Sequence, residues 1–198
     1  MIKTGEDIKM IKKLINRFSV FEIIVISLMT TLGIATKPII VPLVHIITGP
    51  LYISGGAVAG GLYMMWIIVG VGLVRKIGVA TLIGLVQAIM IISLGVYGSH
   101  GIVSFLTYML PGVAVVLYIL LFRPKKLKVS FFFIAGILAN LSGSFLVNIV
   151  FFRLPTVPLI LTLSAAALSG GLGGIIAYVI IKKLKDNGVI EDMNLRGG

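Results

Sequence analysis

The 17 Lys and Arg residues of this chain are confined to a few short stretches. All but Lys37 and Arg153 fall in four clusters set between alternate apolar runs. These are Lys3, Lys9, Lys12, Lys13 and Arg17; Arg75 and Lys76; Arg123, Lys125, Lys126 and Lys128; and Lys182, Lys183, Lys185 and Arg196. Basic residues in short loops stay on the cytoplasmic side of a membrane because translocating them is costly. The runs therefore read as six crossings, with both ends cytoplasmic and Lys37 and Arg153 outside. The pattern predicts an all-α, polytopic six-helix bundle over residues 19–182. An N-terminal arm, 1–18, and a tail, 183–198, flank it in the cytoplasm of a cell whose plasma membrane it crosses.

Composition agrees with a bilayer as the partner. The chain is 59% apolar and only 12% charged, where a soluble domain carries about 25% charge. A net charge of +11 raises the possibility of nucleic acid. Charges held in short clusters between apolar runs do not build one basic face, so no nucleic-acid partner is expected. The anionic inner leaflet is the natural counterpart. There is no cysteine, which excludes disulfides, thiol nucleophiles and Cys metal sites.

Residues 6–18 place Ile8, Ile11, Ile15 and Phe18 at helical spacing among basic residues, as in an amphipathic helix on the membrane surface. A cleaved signal peptide over 1–35 is the alternative, and it would spoil the charge alternation. The spans are expected near 19–36, 51–74, 77–96, 102–122, 129–152 and 157–181, each close to the roughly 20 residues a bilayer core requires. Ser19 and Glu22 at the start of the first span fit a capping box. Residues 37–50 are apolar and contain Pro38, Pro42 and Pro50. Such proline content predicts an irregular segment folded back over an outward-facing cavity. Gly56 and Gly60, and Gly170 and Gly174, are spaced by four and predict close helix packing.

The chemistry inside the spans is sparse. Of six acids, Glu6, Asp7, Asp186, Glu191 and Asp192 lie in the arms and Glu22 in the first turn of helix 1. No span is expected to carry a charge near its middle, which argues against proton coupling and voltage sensing. Ser142 and Ser144 sit beside glycine on helix 5. His45 and His100 are placed in outer loops, so a serine nucleophile lacks its base. No catalytic residue, metal site or cofactor is expected, and no P-loop is present. What remains is an uncharged set in the outer half or near mid-depth, Tyr52, Tyr63, Gln87, Thr107, Tyr108, Asn140 and Asn148, with Trp66 somewhat deeper on helix 2. Amides, hydroxyls and aromatic rings of this kind can stack on and hydrogen-bond a small heteroaromatic ligand.

The chain resembles the substrate-binding S components of energy-coupling factor (ECF) vitamin transporters, and within them the hydroxymethylpyrimidine/thiamine subgroup. Phe21-Glu22 through Ser27, Gly49-Pro50, Trp66, the Arg75-Lys76-Ile-Gly78-Val-Ala80 turn and Leu94-Gly95 carry the likeness. The resemblance implies a non-enzymatic subunit that binds a vitamin or precursor from outside. A T component and two cytoplasmic ATPases would energise its inward delivery. It implies that segment 37–50, with Pro38, Pro42, His45 and Pro50, is a gating loop. It also implies that Ser27, Thr31 and Ala35 meet the T component. Gln87, where a carboxylate would suit a thiazolium, favours a neutral pyrimidine over thiamine. A stand-alone carrier or channel, a ligand-free assembly protein and an intramembrane enzyme are the competing readings.

Overall fold

Glu22 and Lys76 tie the first helix to the turn between the second and third. The Lys76 ammonium lies 2.7 Å from the Glu22 carboxylate. Glu22 also closes the expected capping box: its side chain accepts from the Ser19 amide at 2.8 Å, and the Ser19 hydroxyl accepts from the Glu22 amide at 3.2 Å. The computed structural model describes residues 18–51, 53–94, 103–124 and 126–190. Tyr52, His100 and the amphipathic stretch expected at 6–17 lie outside the described residues.

Six helices follow in order: α1 Val20–Thr48, α2 Gly55–Val74, α3 Val79–Leu94, α4 Val103–Phe122, α5 Val129–Leu146 and α6 Thr156–Asp186. A 3-10 turn, Gly49–Leu51, follows α1, and a π-helical turn, Val147–Phe151, extends α5. Five of these segments are long and apolar enough to cross a membrane, and α3 is a shorter apolar helix. The chain is thus an all-α, six-helix membrane protein. Most ends agree with the sequence reading to within a few residues; α6 runs five residues further than expected, to Asp186.

The main departure is α1. The expected irregular segment 37–50 is helical through Thr48, with Pro38 and Pro42 inside the helix. Each proline removes one backbone N–H, leaving the carbonyls of Ile34 and Pro38 without their usual donors. In a membrane bundle, neighbouring helices and local adjustment accommodate such gaps, so the helix persists. At 29 residues α1 is about 43 Å long, exceeding an apolar core of about 30 Å.

Helix α2 is the centre of the bundle and packs against α1, α3, α5 and α6. Its Ile67, Ile68, Val69 and Val71 are fully enclosed, with Phe132 of α5, Ile83 of α3 and Ile181 of α6 in the same core. Helices α5 and α6 cross at their glycines. A Cβ on Gly136 would lie 2.1 Å from the Gly170 carbonyl oxygen, and one on Gly174 would lie 2.1 Å from that of Phe132. Only glycine permits this backbone approach. Gly60 also packs tightly, against Asn140, whereas Gly56 has nothing nearer than 3.7 Å. The two glycines of that pair therefore differ in role.

Candidate ligand-binding site

The second half of α1 and the start of α2 meet at the end opposite the Glu22–Lys76 pair. There a cavity of about 760 Å³ opens, within the roughly 300–1,000 Å³ typical of small-molecule sites. The second half of α1 supplies one wall. Lys37, Val41 and His45, four residues apart, face the cavity together with Pro38 and Pro42. Ile39, Leu43, Ile46 and Ile47 point outward and are exposed. One helical face thus lines the cavity while the other meets lipid. The segment lines the cavity as a helix, where the sequence reading expects a folded-back loop.

Opposite α1 lie the first turn of α2, the last turn of α5 with the π-helical turn that follows it, and Thr107 and Tyr108 of α4. Tyr63 is buried, and its hydroxyl donates to the Gly56 carbonyl at 3.0 Å. The Lys37 ammonium donates to the Tyr108 hydroxyl. It also sits 4.3 Å from the centroid of the Tyr108 ring and 5.5 Å from that of Tyr63. Each ring contact stabilises a cation by about 0.5–2 kcal/mol. Removing an ammonium from bulk water costs several kcal/mol, so two rings and one hydroxyl offset only part of it.

The sequence reading put Lys37 in an outer loop and expected no charge within a span. The structure corrects this: Lys37 belongs to α1 and is a cation on the cavity wall. The signal was present, because the spacing of four from Gly33 through Lys37 and Val41 to His45 continues the helical face. Proline masks it, because a residue without an N–H ordinarily ends a helix.

The two asparagines divide. Asn140 is fully buried beneath the cavity wall. Its Nδ2 donates to the carbonyls of Ala57 and Ala166, both at 2.8 Å, and its Oδ1 accepts from the Ser144 hydroxyl at 3.4 Å. It straps α2, α5 and α6 together. Asn148 lines the cavity from the π-helical turn. Its Nδ2 donates to the Ser144 carbonyl at 2.7 Å, while its buried Oδ1 has no hydrogen-bond partner. A buried acceptor left open at a cavity wall is a place for a ligand N–H or O–H. π-Helical turns recur at functional sites.

Of the other expected residues, Tyr63, Thr107 and Tyr108 line the cavity and Trp66 and Gln87 do not. Trp66 is half-buried and donates to the Thr36 hydroxyl at 3.0 Å, joining α2 to α1. Gln87 is buried against Gly33, where its amide fills the α1–α3 crossing, so it offers no evidence about ligand charge. Pro50 lies in the 3-10 turn outside the lining. Ser27, Thr31 and Ala35 are exposed on the outer face of α1. Residues missed by sequence reasoning are Lys37, Ser54, Met64, Phe152 and Ser144, the last weighed only as a nucleophile. Ser144 shares the wall with His45, yet its proton is directed to an amide oxygen. Ser142 donates to the Ala139 carbonyl at 3.0 Å. Among the described residues no three His, Cys, Asp or Glu side chains gather as a metal site.

The fold is that of a solved protein described as an S-component of an ECF transporter. The two agree with a TM-score of 0.68 over 87% of this chain and 88% of that one, at 16% identity. Such low identity establishes the architecture and leaves the ligand open. No curated protein matches the chain. Residues 18–142, from α1 through most of α5, match the family described as ABC-type cobalt transport system, permease component. With more than half its length matched, the chain belongs to that family and is a membrane transport subunit of the ECF/ABC-type import class.

Proposed function

We propose that this chain is the substrate-binding subunit of an ECF-type importer. It captures a small vitamin or vitamin precursor from outside and delivers it inward with a T component and two cytoplasmic ATPases. The observation that carries this reading is the cavity at one end of the bundle, walled by Tyr63, Tyr108 and the open acceptor of Asn148. The distribution of Lys and Arg assigns the cavity end to the outside and both termini to the cytoplasm. Exposure of Ser27, Thr31 and Ala35 on α1 supports a contact with the T component there.

Among pyrimidine vitamins, hydroxymethylpyrimidine fits better than thiamine, because Lys37 stands in the cavity and repels a thiazolium. The family description names cobalt. A bare divalent cation would meet one imidazole, His45, in a wall that also carries the Lys37 ammonium and no carboxylate. That donor set supports an organic ligand.

The test is titration of the purified, detergent-solubilised protein with hydroxymethylpyrimidine, thiamine, riboflavin, biotin, cobalamin and cobalt chloride. Emission from Trp66, the only tryptophan, reports the outcome. Its partner Thr36 neighbours Lys37, so ligand entry should perturb it. Saturable submicromolar binding of one organic compound supports the proposal. Tight binding of cobalt chloride alone refutes the vitamin reading. Uptake in cells lacking the T component and ATPases would favour a stand-alone carrier.

A further inference from the structure

We propose that the ligand carries an anionic oxygen group, a carboxylate or a phosphate monoester, and that Lys37 is the residue that reads it. This rests on the cavity being the ligand site. The sequence contains no acid between Glu22 and Asp186. Glu22 already holds Lys76, and it stands 15 residues before Lys37 on the same helix, about 22 Å away. Asp186 closes α6 at that same far end. Among the described residues, therefore, no carboxylate reaches Lys37. Its ammonium has three donors, and one is directed to Tyr108.

Buried or half-buried charges in proteins are ordinarily paired. Here the fold positions a cation on a cavity wall, holds it against two tyrosine rings and leaves its counter-charge to be supplied from outside. The first turn of α2 opens into the same space, and its N-cap Ser54 makes no side-chain cap bond. A helix N-terminus adds positive potential in the same sense as Lys37. The open Asn148 Oδ1 calls for the opposite polarity, an N–H or O–H. The ligand class is thus a small bifunctional molecule with an anionic oxygen at one point and a hydrogen-bond donor at another. For a pyrimidine ligand, the phosphate ester should bind ahead of the free alcohol.

The experiment compares matched pairs that differ by one charge. These are hydroxymethylpyrimidine phosphate with hydroxymethylpyrimidine, nicotinate with nicotinamide, biotin with its amide, and pantothenate with panthenol; thiamine is the cationic control. Binding to the purified full chain is measured by calorimetry, with thermal unfolding recorded for every variant. The expected result is one anion bound at least tenfold more tightly than its neutral partner. The identity of that anion distinguishes carboxylate from phosphate. Lys37→Gln should erase the ratio within the pair, and Lys37→Arg should keep most of it.

A neutral compound or thiamine binding as tightly as any anion overturns the inference and leaves the receptor reading standing. So does an unchanged ratio in folded Lys37→Gln. Failure of every compound on folded protein overturns both. The ratio on the unaltered protein decides the matter even where a variant does not fold.

Discussion

The Lys37 ammonium donates to the Tyr108 hydroxyl while lying 4.3 Å from the centroid of the same ring. One residue of α4 thereby satisfies part of the cation on α1 and joins two walls of the cavity. Tyr108→Phe keeps the ring and deletes the acceptor. It should weaken ligand binding by about ten- to a hundredfold, in line with one hydrogen bond to a charged group. Titration of the purified variant checks this, and unchanged affinity would show that the hydroxyl does not matter to the site.

Asn140 and Asn148 are predicted to fail differently. Asn140→Ala removes both hydrogen bonds that join α5 to the carbonyls of Ala57 and Ala166 and should destabilise the fold by about 1–3 kcal/mol. Thermal unfolding in detergent would report it as a lowered midpoint. Asn148→Ala removes one short-range bond and the open Oδ1, so the loss should fall mainly on ligand affinity. Similar behaviour of the two variants in both assays would contradict the division.

The glycines offer a second contrast. Gly136→Ala or Gly174→Ala places a methyl about 2 Å from a backbone oxygen of the partner helix and should abolish well-folded expression. Gly56→Ala meets nothing closer than 3.7 Å and should fold normally while narrowing the cavity. Monodispersity on gel filtration separates the outcomes.

Since the chain has no cysteine, single cysteines along α1 can be read without background. Val41→Cys and His45→Cys should react with a membrane-impermeant thiol reagent added outside. Ile39→Cys, Leu43→Cys and Ile47→Cys, facing lipid, should react slowly. A smooth gradient along 37–48 in place of this periodicity would return the segment to a loop.

At the other end, Glu22→Gln keeps a side-chain oxygen for the Ser19 amide and loses the charge opposite Lys76. For a part-exposed pair the expected loss is about 1 kcal/mol or less. Glu22→Ala removes the cap as well and should cost about 1 kcal/mol more. Denaturation midpoints of the two variants, compared directly, test the order.

The sequence by itself determined the membrane, the number of helices, most of their ends and the capping box at Ser19. Those follow from hydropathy and local hydrogen bonding, which act over a few residues. It also singled out Tyr63, Thr107, Tyr108 and Asn148 by their polarity within apolar runs. Polarity alone could not separate Asn148, which faces the cavity, from Asn140, which binds two carbonyls beneath it. It could not place Gln87 at a helix crossing or carry α1 through Pro38 and Pro42. Only the tertiary structure decided these, because which face of a helix meets a void depends on how six helices pack. The same packing moved Lys37 from an expected loop onto the cavity wall.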